Sequence, residues 1–148
     1  MELKELYQEI ILDHAKNPRN KGTCKNYNRD AKGHNPLCGD KVHIYLKLNA
    51  EQEVDNISFE GEGCAISLAS ASILTETIKG KNYNLVKKII EEFLAVIKNE
   101  VKITLNSLSE DQKTTIMSLS GVKKFPMRVK CATMAWHTLA SAIKSKND

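Results

Sequence analysis

Lys41-Val42-His43-Ile44-Tyr45-Leu46-Lys47-Leu48 is the stretch on which the fold turns. Val42, Ile44, Leu46 and Leu48 alternate with Lys41, His43, Tyr45 and Lys47. A period of two predicts a strand with one face buried. After a turn at 51–53, Val54 to Glu60 carries a second strand around Ile57 and Phe59. The two are expected to pair antiparallel, and the polar alternate face of the sheet is expected to meet water.

At Gly61-Glu62-Gly63 the period changes. Ile66, Ala69, Ile73, Leu74 and Ile78, with small residues between them, predict a helix ended by Gly80 in the C′ position. Upstream, Leu3, Leu6, Tyr7, Ile10 and Ile11 predict an amphipathic helix over 3–16, stopped by Asn17-Pro18. Arg19 to Pro36 is rich in Asn, Lys and Gly and reads as a loop with room for a short edge strand.

Downstream, Leu85, Val86, Ile89, Ile90, Phe93, Leu94 and Ile97 predict a helix over 84–98, and residues 99–109 fit no period. Glu110 to Leu119 reads as a short helix closed by Gly121, and Pro126 opens a last helix to about Lys144. A helix, then strands, then helices indicate an α+β domain: a small antiparallel sheet packed on one face by helices. A single domain is expected over residues 1–148.

Composition narrows the function classes. The chain has 148 residues, and 22 basic against 18 acidic side chains give a net charge of +4. A mean hydropathy of −0.38 suits a globular protein. The one dense basic stretch is Lys123, Lys124, Arg128 and Lys130. No aromatic platform accompanies it, so nucleic acid is not an expected partner. No apolar run approaches the ~18 residues of a membrane span. Met1-Glu2-Leu3-Lys4-Glu5 lacks a signal-peptide core, so a cytoplasmic protein with no membrane partner is expected.

Cysteines stand at 24, 38, 64 and 131, with no Cys-x-x-Cys pair. Three of them keep suggestive company. Cys38 and Asp40 flank Gly39 just before the strand, and extended backbone would put both side chains on one face. Cys64 opens a helix, where free N–H groups and the helix dipole favour thiolate. Cys131 falls in the first turns of the last helix, with Arg128 one turn earlier on the same face.

A shared site of Cys38, Asp40, Cys64 and Cys131 would suit a soft cation, either Zn²⁺ or an iron–sulfur cluster. Both leave the same excess of negative charge, which helix N-termini and Arg128 or Lys130 could offset. Charge therefore does not choose between them. An oxygen ligand among thiolates is uncommon in closed structural zinc sites and suggests a site built for exchange.

Three motifs carry a family resemblance. They are Asn35-Pro36-Leu37-Cys38-Gly39-Asp40, then Gly61-Glu62-Gly63-Cys64-Ala65-Ile66-Ser67, then Arg128-Val129-Lys130-Cys131-Ala132 through Ala135-Trp136-His137-Thr138-Leu139. With His14 and Asn17-Pro18-Arg19-Asn20, they resemble the NifU N-terminal/IscU superfamily, and most of all its SufU branch. Lys130 stands where IscU-type scaffolds carry histidine, and no Leu-Pro-Pro-Val-Lys signal lies between Ser120 and Arg128.

The resemblance implies zinc held by Cys38, Asp40, Cys64 and Cys131. It also implies a persulfide sulfur received from a PLP-dependent, SufS-like cysteine desulfurase and passed to downstream iron–sulfur assembly proteins. Such a protein is sulfurtransferase-like, a carrier rather than a classical turnover enzyme. Cys38 would be the acceptor, released from zinc when a desulfurase histidine replaces it, and Arg128 would hold Asp40 after that swap. The alternative within the family is a scaffold on which iron and sulfide build a [2Fe–2S] cluster. Cys24 has no counterpart in the motifs and reads as an incidental loop thiol. His34 and His43 read as solvated polar residues, Trp136 as core, and His137 as a residue near the site or on the surface.

Overall fold

The alternation at 41–48 forms a strand, and its hydrogen bonds recruit a neighbour that composition hides. The computed structural model describes residues 2–99, 103–104 and 106–144. Helix α1 (Leu3–Lys16) leads into a three-stranded antiparallel sheet of order β1 (Arg29–Asn35), β2 (Asp40–Leu48) and β3 (Val54–Glu62). Helices α2 (Ala65–Ile78), α3 (Tyr83–Asn99), α4 (Glu110–Met117) and α5 (Pro126–Lys144) follow.

Strand β1 takes up the room that Arg19 to Pro36 leaves for an edge strand. Arg29-Asp30-Ala31-Lys32-Gly33-His34-Asn35 carries no apolar alternation, yet it pairs with β2 over its whole length, from Arg29↔Leu46 to Asn35↔Asp40. An edge strand needs only its ladder and one face small enough to pack. Gly33 provides that face: a Cβ there would lie 2.1 Å from Thr138 Oγ1 on α5. On the other edge, Asn20 and Gly22 exchange backbone hydrogen bonds with Phe59 of β3 at 3.0 and 2.8 Å, which caps the sheet.

The inner face of the sheet (Val42, Ile44, Leu46, Leu48, Val54, Ile57, Phe59) meets α2 and α5, and α3 closes the core from behind. Trp136 of α5 stacks on Phe93 of α3 with ring centroids 4.1 Å apart. Its Nε1–H donates to Ser70 Oγ at 3.0 Å. Helix α2 is buried nearly all round because its Ser and Ala positions let neighbouring backbones approach. Its hydroxyls find partners there, as Ser70 Oγ does in donating to the Ala132 carbonyl at 2.5 Å.

Three expectations need correction. Tyr45, on the face expected to meet water, is buried. Tyr27 from the 20–28 segment meets it edge-on at 4.9 Å and His43 stacks on it at 3.9 Å. Tyr45 Oη–H donates to Glu60, and that bond, with burial, raises its pKa to about 12. Gly121 does not close α4. A 3₁₀ segment, Ser118–Lys124, runs through it because Leu119 and Val122 are drawn into the core. His43 is not merely solvated, since its Nε2 lies 2.6 Å from Asp30 Oδ2. Part of the unassigned 99–109 stretch lies outside the described residues.

The contact between α1 and α2 places His14 in the interior, with Nδ1 2.7 Å from Ser72 Oγ. That oxygen already accepts the Arg19 backbone N–H at 2.8 Å, so the hydroxyl proton is free to go to a neutral imidazole. Burial, reinforced by the Arg19 charge, lowers the His14 pKa below its usual 6.5. The unfolded chain therefore takes up a proton near pH 6.5 while the folded one resists it. Stability is expected to be intact above pH 6.5 and to fall as pH drops below it, by at most about 1.4 kcal/mol per pH unit from this group. Urea titrations of metal-free protein against pH should show that slope. His14→Gln should flatten it, and an unchanged slope in the variant would assign the effect elsewhere.

Candidate metal centre

Three elements deliver the site, each for a local reason. Pro36 to Gly39 connect β1 to β2, and Gly39 takes a φ of +75°, the left-handed region open to glycine. Gly39 N–H donates to the Asn35 carbonyl at 2.8 Å, and Leu37 N–H to Asn35 Oδ1 at 3.2 Å. Cys38 thus sits exposed on a hairpin turn, and Asp40 is buried as the first residue of β2. The two meet because the turn folds back on itself, not through the extended backbone expected from their spacing. Cys38 Sγ donates to Asp40 Oδ2 at 3.0 Å.

Cys64 is the N-cap of α2, but its own side chain makes no capping bond. The cap comes from the sheet: Asp40 Oδ1 accepts the Cys64 N–H at 3.0 Å. Cys64 Sγ is exposed and lies 3.9 Å from Asp40 Oδ2. Cys131, in the second turn of α5, is buried with its sulfur 3.8 Å from Cys38 Sγ. Ligand atoms of Cys38, Asp40 and Cys131 all lie within 4.8 Å of one another. Cys64 stands at the edge of that trio.

The donor set suits a soft dication. In a tetrahedral zinc site, Zn–S bonds of about 2.3 Å put sulfurs about 3.8 Å apart, and a sulfur about 3.5 Å from a carboxylate oxygen. The Cys38–Cys131 separation of 3.8 Å matches the first edge, and the 3.0 and 3.9 Å distances to Asp40 bracket the second. Burial alone would raise the Asp40 pKa, but hydrogen bonds from Ser67, Cys38, Cys131 and the Cys64 N–H outweigh it and hold the carboxylate ionised. Burial pushes the Cys131 thiol well up, and the neighbouring Asp40, Cys64 and Cys38 add to that. A bound cation would relieve this crowding of electron-rich groups.

The other residues singled out in the sequence lie away from this cluster. Arg128 is exposed, its guanidinium 4.8 Å from the Phe125 ring centroid, and it is not among the donors to Asp40. Cys24 is a loop thiol but a buried one, and burial raises its pKa. His34 and His137 are exposed and line a groove between β1 and α5 with Leu37, Lys130 and Met134. Trp136 is core, fully buried. The residue that spacing left without a role is Ser67, which donates to Asp40 Oδ2 from the first turn of α2. Its one signal in the sequence is a hydroxyl three positions after Cys64.

The model of the NifU-like N terminal domain matches residues 6–147. A zinc-dependent sulfurtransferase SufU from Bacillus subtilis is 39% identical over 144 residues, covering 95% of this chain and 91% of that protein. An iron–sulfur cluster assembly scaffold protein IscU from Streptococcus pyogenes is 33% identical, covering 96% of this chain and 85% of its own. Among solved structures, one described as an iron–sulfur cluster assembly scaffold for the SUF system of Fervidobacterium islandicum superposes with a TM-score of 0.80 at 30% identity. It covers 94% of this chain and 97% of that one. A nitrogen-fixing NifU-like protein from Brucella abortus, at a TM-score of 0.82 and 20% identity, shares the fold, with 96% of this chain and 94% of that one covered.

Proposed function

The chain belongs to the NifU-like N-terminal domain family, and from that premise we propose that it is a zinc-dependent sulfur acceptor and carrier in iron–sulfur cluster assembly, charged by a PLP-dependent cysteine desulfurase. The observation that carries this is an exposed thiol, Cys38, standing on a hairpin turn within hydrogen-bond range of a buried carboxylate and 3.8 Å from a buried thiol.

Cys38, Asp40, Cys64 and Cys131 would hold the zinc, which when bound supplies a positive charge that keeps thiols deprotonated. The chain's own residues do the rest. The Cys38 thiolate attacks the outer sulfur of the desulfurase persulfide. A new sulfur–sulfur bond forms on Cys38, and the desulfurase cysteine leaves as its thiolate. The hairpin turn presents Cys38 outward, where a partner can reach it. The Asp40 carboxylate stays anchored on the α2 N-terminus meanwhile. Arg128, one turn before Cys131, is proposed to hold the Asp40 carboxylate alongside that anchor while Cys38 carries sulfur.

The second reading, a scaffold for a [2Fe–2S] cluster, is favoured by the 33% identity to a relative named as an iron–sulfur cluster assembly scaffold protein. Cysteine turnover by the desulfurase separates the two, measured with this protein zinc-loaded, chelator-stripped and zinc-reloaded. Strong stimulation, lost on stripping and restored by zinc, is expected. Zinc-independent or zinc-inhibited turnover, with iron and labile sulfide accumulating on the chain, would overturn the carrier in favour of the scaffold.

A further inference from the structure

Asp40 is seated by the first turn of α2. Its Oδ1 is committed to the Cys64 N–H at 3.0 Å, so the α2 N-terminus holds that oxygen in place. Its Oδ2 receives the Ser67 hydroxyl proton and faces Cys38 and Cys64 Sγ at 3.0 and 3.9 Å. Ser67 is itself buried, and its Oγ lies 3.5 Å from Cys64 Sγ. Gly63 completes the seat, since a Cβ there would lie 2.4 Å from Asp40 Oδ1.

We infer that Ser67 is a positioning residue for the metal centre, fixing the Asp40 side chain so that Oδ2 points at the thiols. The inference rests on the proposed role of Asp40 as a zinc ligand. An Asp side chain has one soft torsion left, that about Cβ–Cγ, once its χ1 rotamer is fixed. The Cys64 N–H restrains one oxygen, and the Ser67 hydroxyl restrains the other. With both in place the plane of the carboxylate is set. Without Ser67 it can rotate about its bond to Cβ, and Oδ2 leaves the thiol cluster. Partners behind a metal ligand commonly change affinity about 10–100-fold when removed.

The test is a double-mutant cycle on zinc affinity, read by competition with a chromogenic chelator on the full chain. Ser67→Ala is expected to weaken zinc about 10–100-fold when Asp40 is present and to change it less than about 2-fold in an Asp40→Ala background. Ser67→Thr, which keeps the hydroxyl, should stay within about 3-fold of the parent. Equal losses in both backgrounds, no loss at all, or a Ser67→Ala chain that fails to fold would each make the hydroxyl a structural group and overturn the inference. Should Asp40→Ala leave zinc affinity unchanged, the ligand assignment itself falls and takes this role with it. Should Asp40→Ala weaken zinc while Ser67→Ala does not, only the positioning role is lost.

Discussion

Cys38→Ala is expected to abolish sulfur uptake from the desulfurase while leaving the fold in place. The side chain is exposed on a hairpin turn whose geometry comes from Gly39 and the Asn35 hydrogen bonds, none of which involves the thiol. Metal-free stability should therefore fall by only about 1 kcal/mol, because the variant gives up the thiol hydrogen bond to Asp40 while that carboxylate keeps its bonds from Ser67 and the Cys64 N–H. Function should respond in the opposite proportion, because a methyl group cannot form a sulfur–sulfur bond. Intact mass after incubation with desulfurase and cysteine reads the outcome. The parent chain should gain a sulfur that a thiol reductant removes, and the variant should gain none. A variant that still takes up reducible sulfur would move the acceptor to Cys64 or Cys131. One that fails to fold would make Cys38 a structural ligand.

Trp136→Ala is expected to cost about 3–5 kcal/mol of stability, the range for removing a large aromatic side chain from a packed core. Trp136 is fully buried, stacked on Phe93, and its Nε1–H is satisfied by Ser70. The truncation empties the space between α3, α5 and α2, where the backbone has little freedom to collapse. Ser70 keeps its bond to the Ala132 carbonyl, so the loss is mainly packing rather than an orphaned hydroxyl. The urea midpoint should fall with the slope unchanged. Circular dichroism must follow it, since Trp136 is the single tryptophan. A loss below about 1 kcal/mol would show that the core repacks around the gap. The same helix carries Cys131, so loosening it should also weaken the metal centre.

Much of the fold was legible because its signals are local. The 41–48 alternation, the apolar faces of α1 and α3, Pro126 at the start of α5 and Gly80 after α2 each act within a few residues. Strand β1 was legible only as room for a short edge strand between Arg19 and Pro36, without bounds or partner. Its side chains lack alternation, and it is a strand because β2 offers it a ladder and Thr138 meets its glycine. Gly121 looked like a stop by the local rule, but burial of Leu119 and Val122 carried the helical turn through it.

The sequence by itself determined the α+β order of elements and marked Cys38, Asp40, Cys64 and Cys131 as candidates, since caps, turns and periodicity are short-range physics. Only the tertiary structure decided how those four meet. Cys38 and Cys131 are 93 positions apart and lie 3.8 Å from each other because β1 and α5 pack through Gly33 and Thr138. The tertiary structure also turned Asp40 into the cap of a helix 24 residues away, buried His14 against Ser72, and recruited Ser67. Those contacts depend on which surfaces come together, and the free energy that brings them together is the burial of the whole core, a property no short stretch of residues carries.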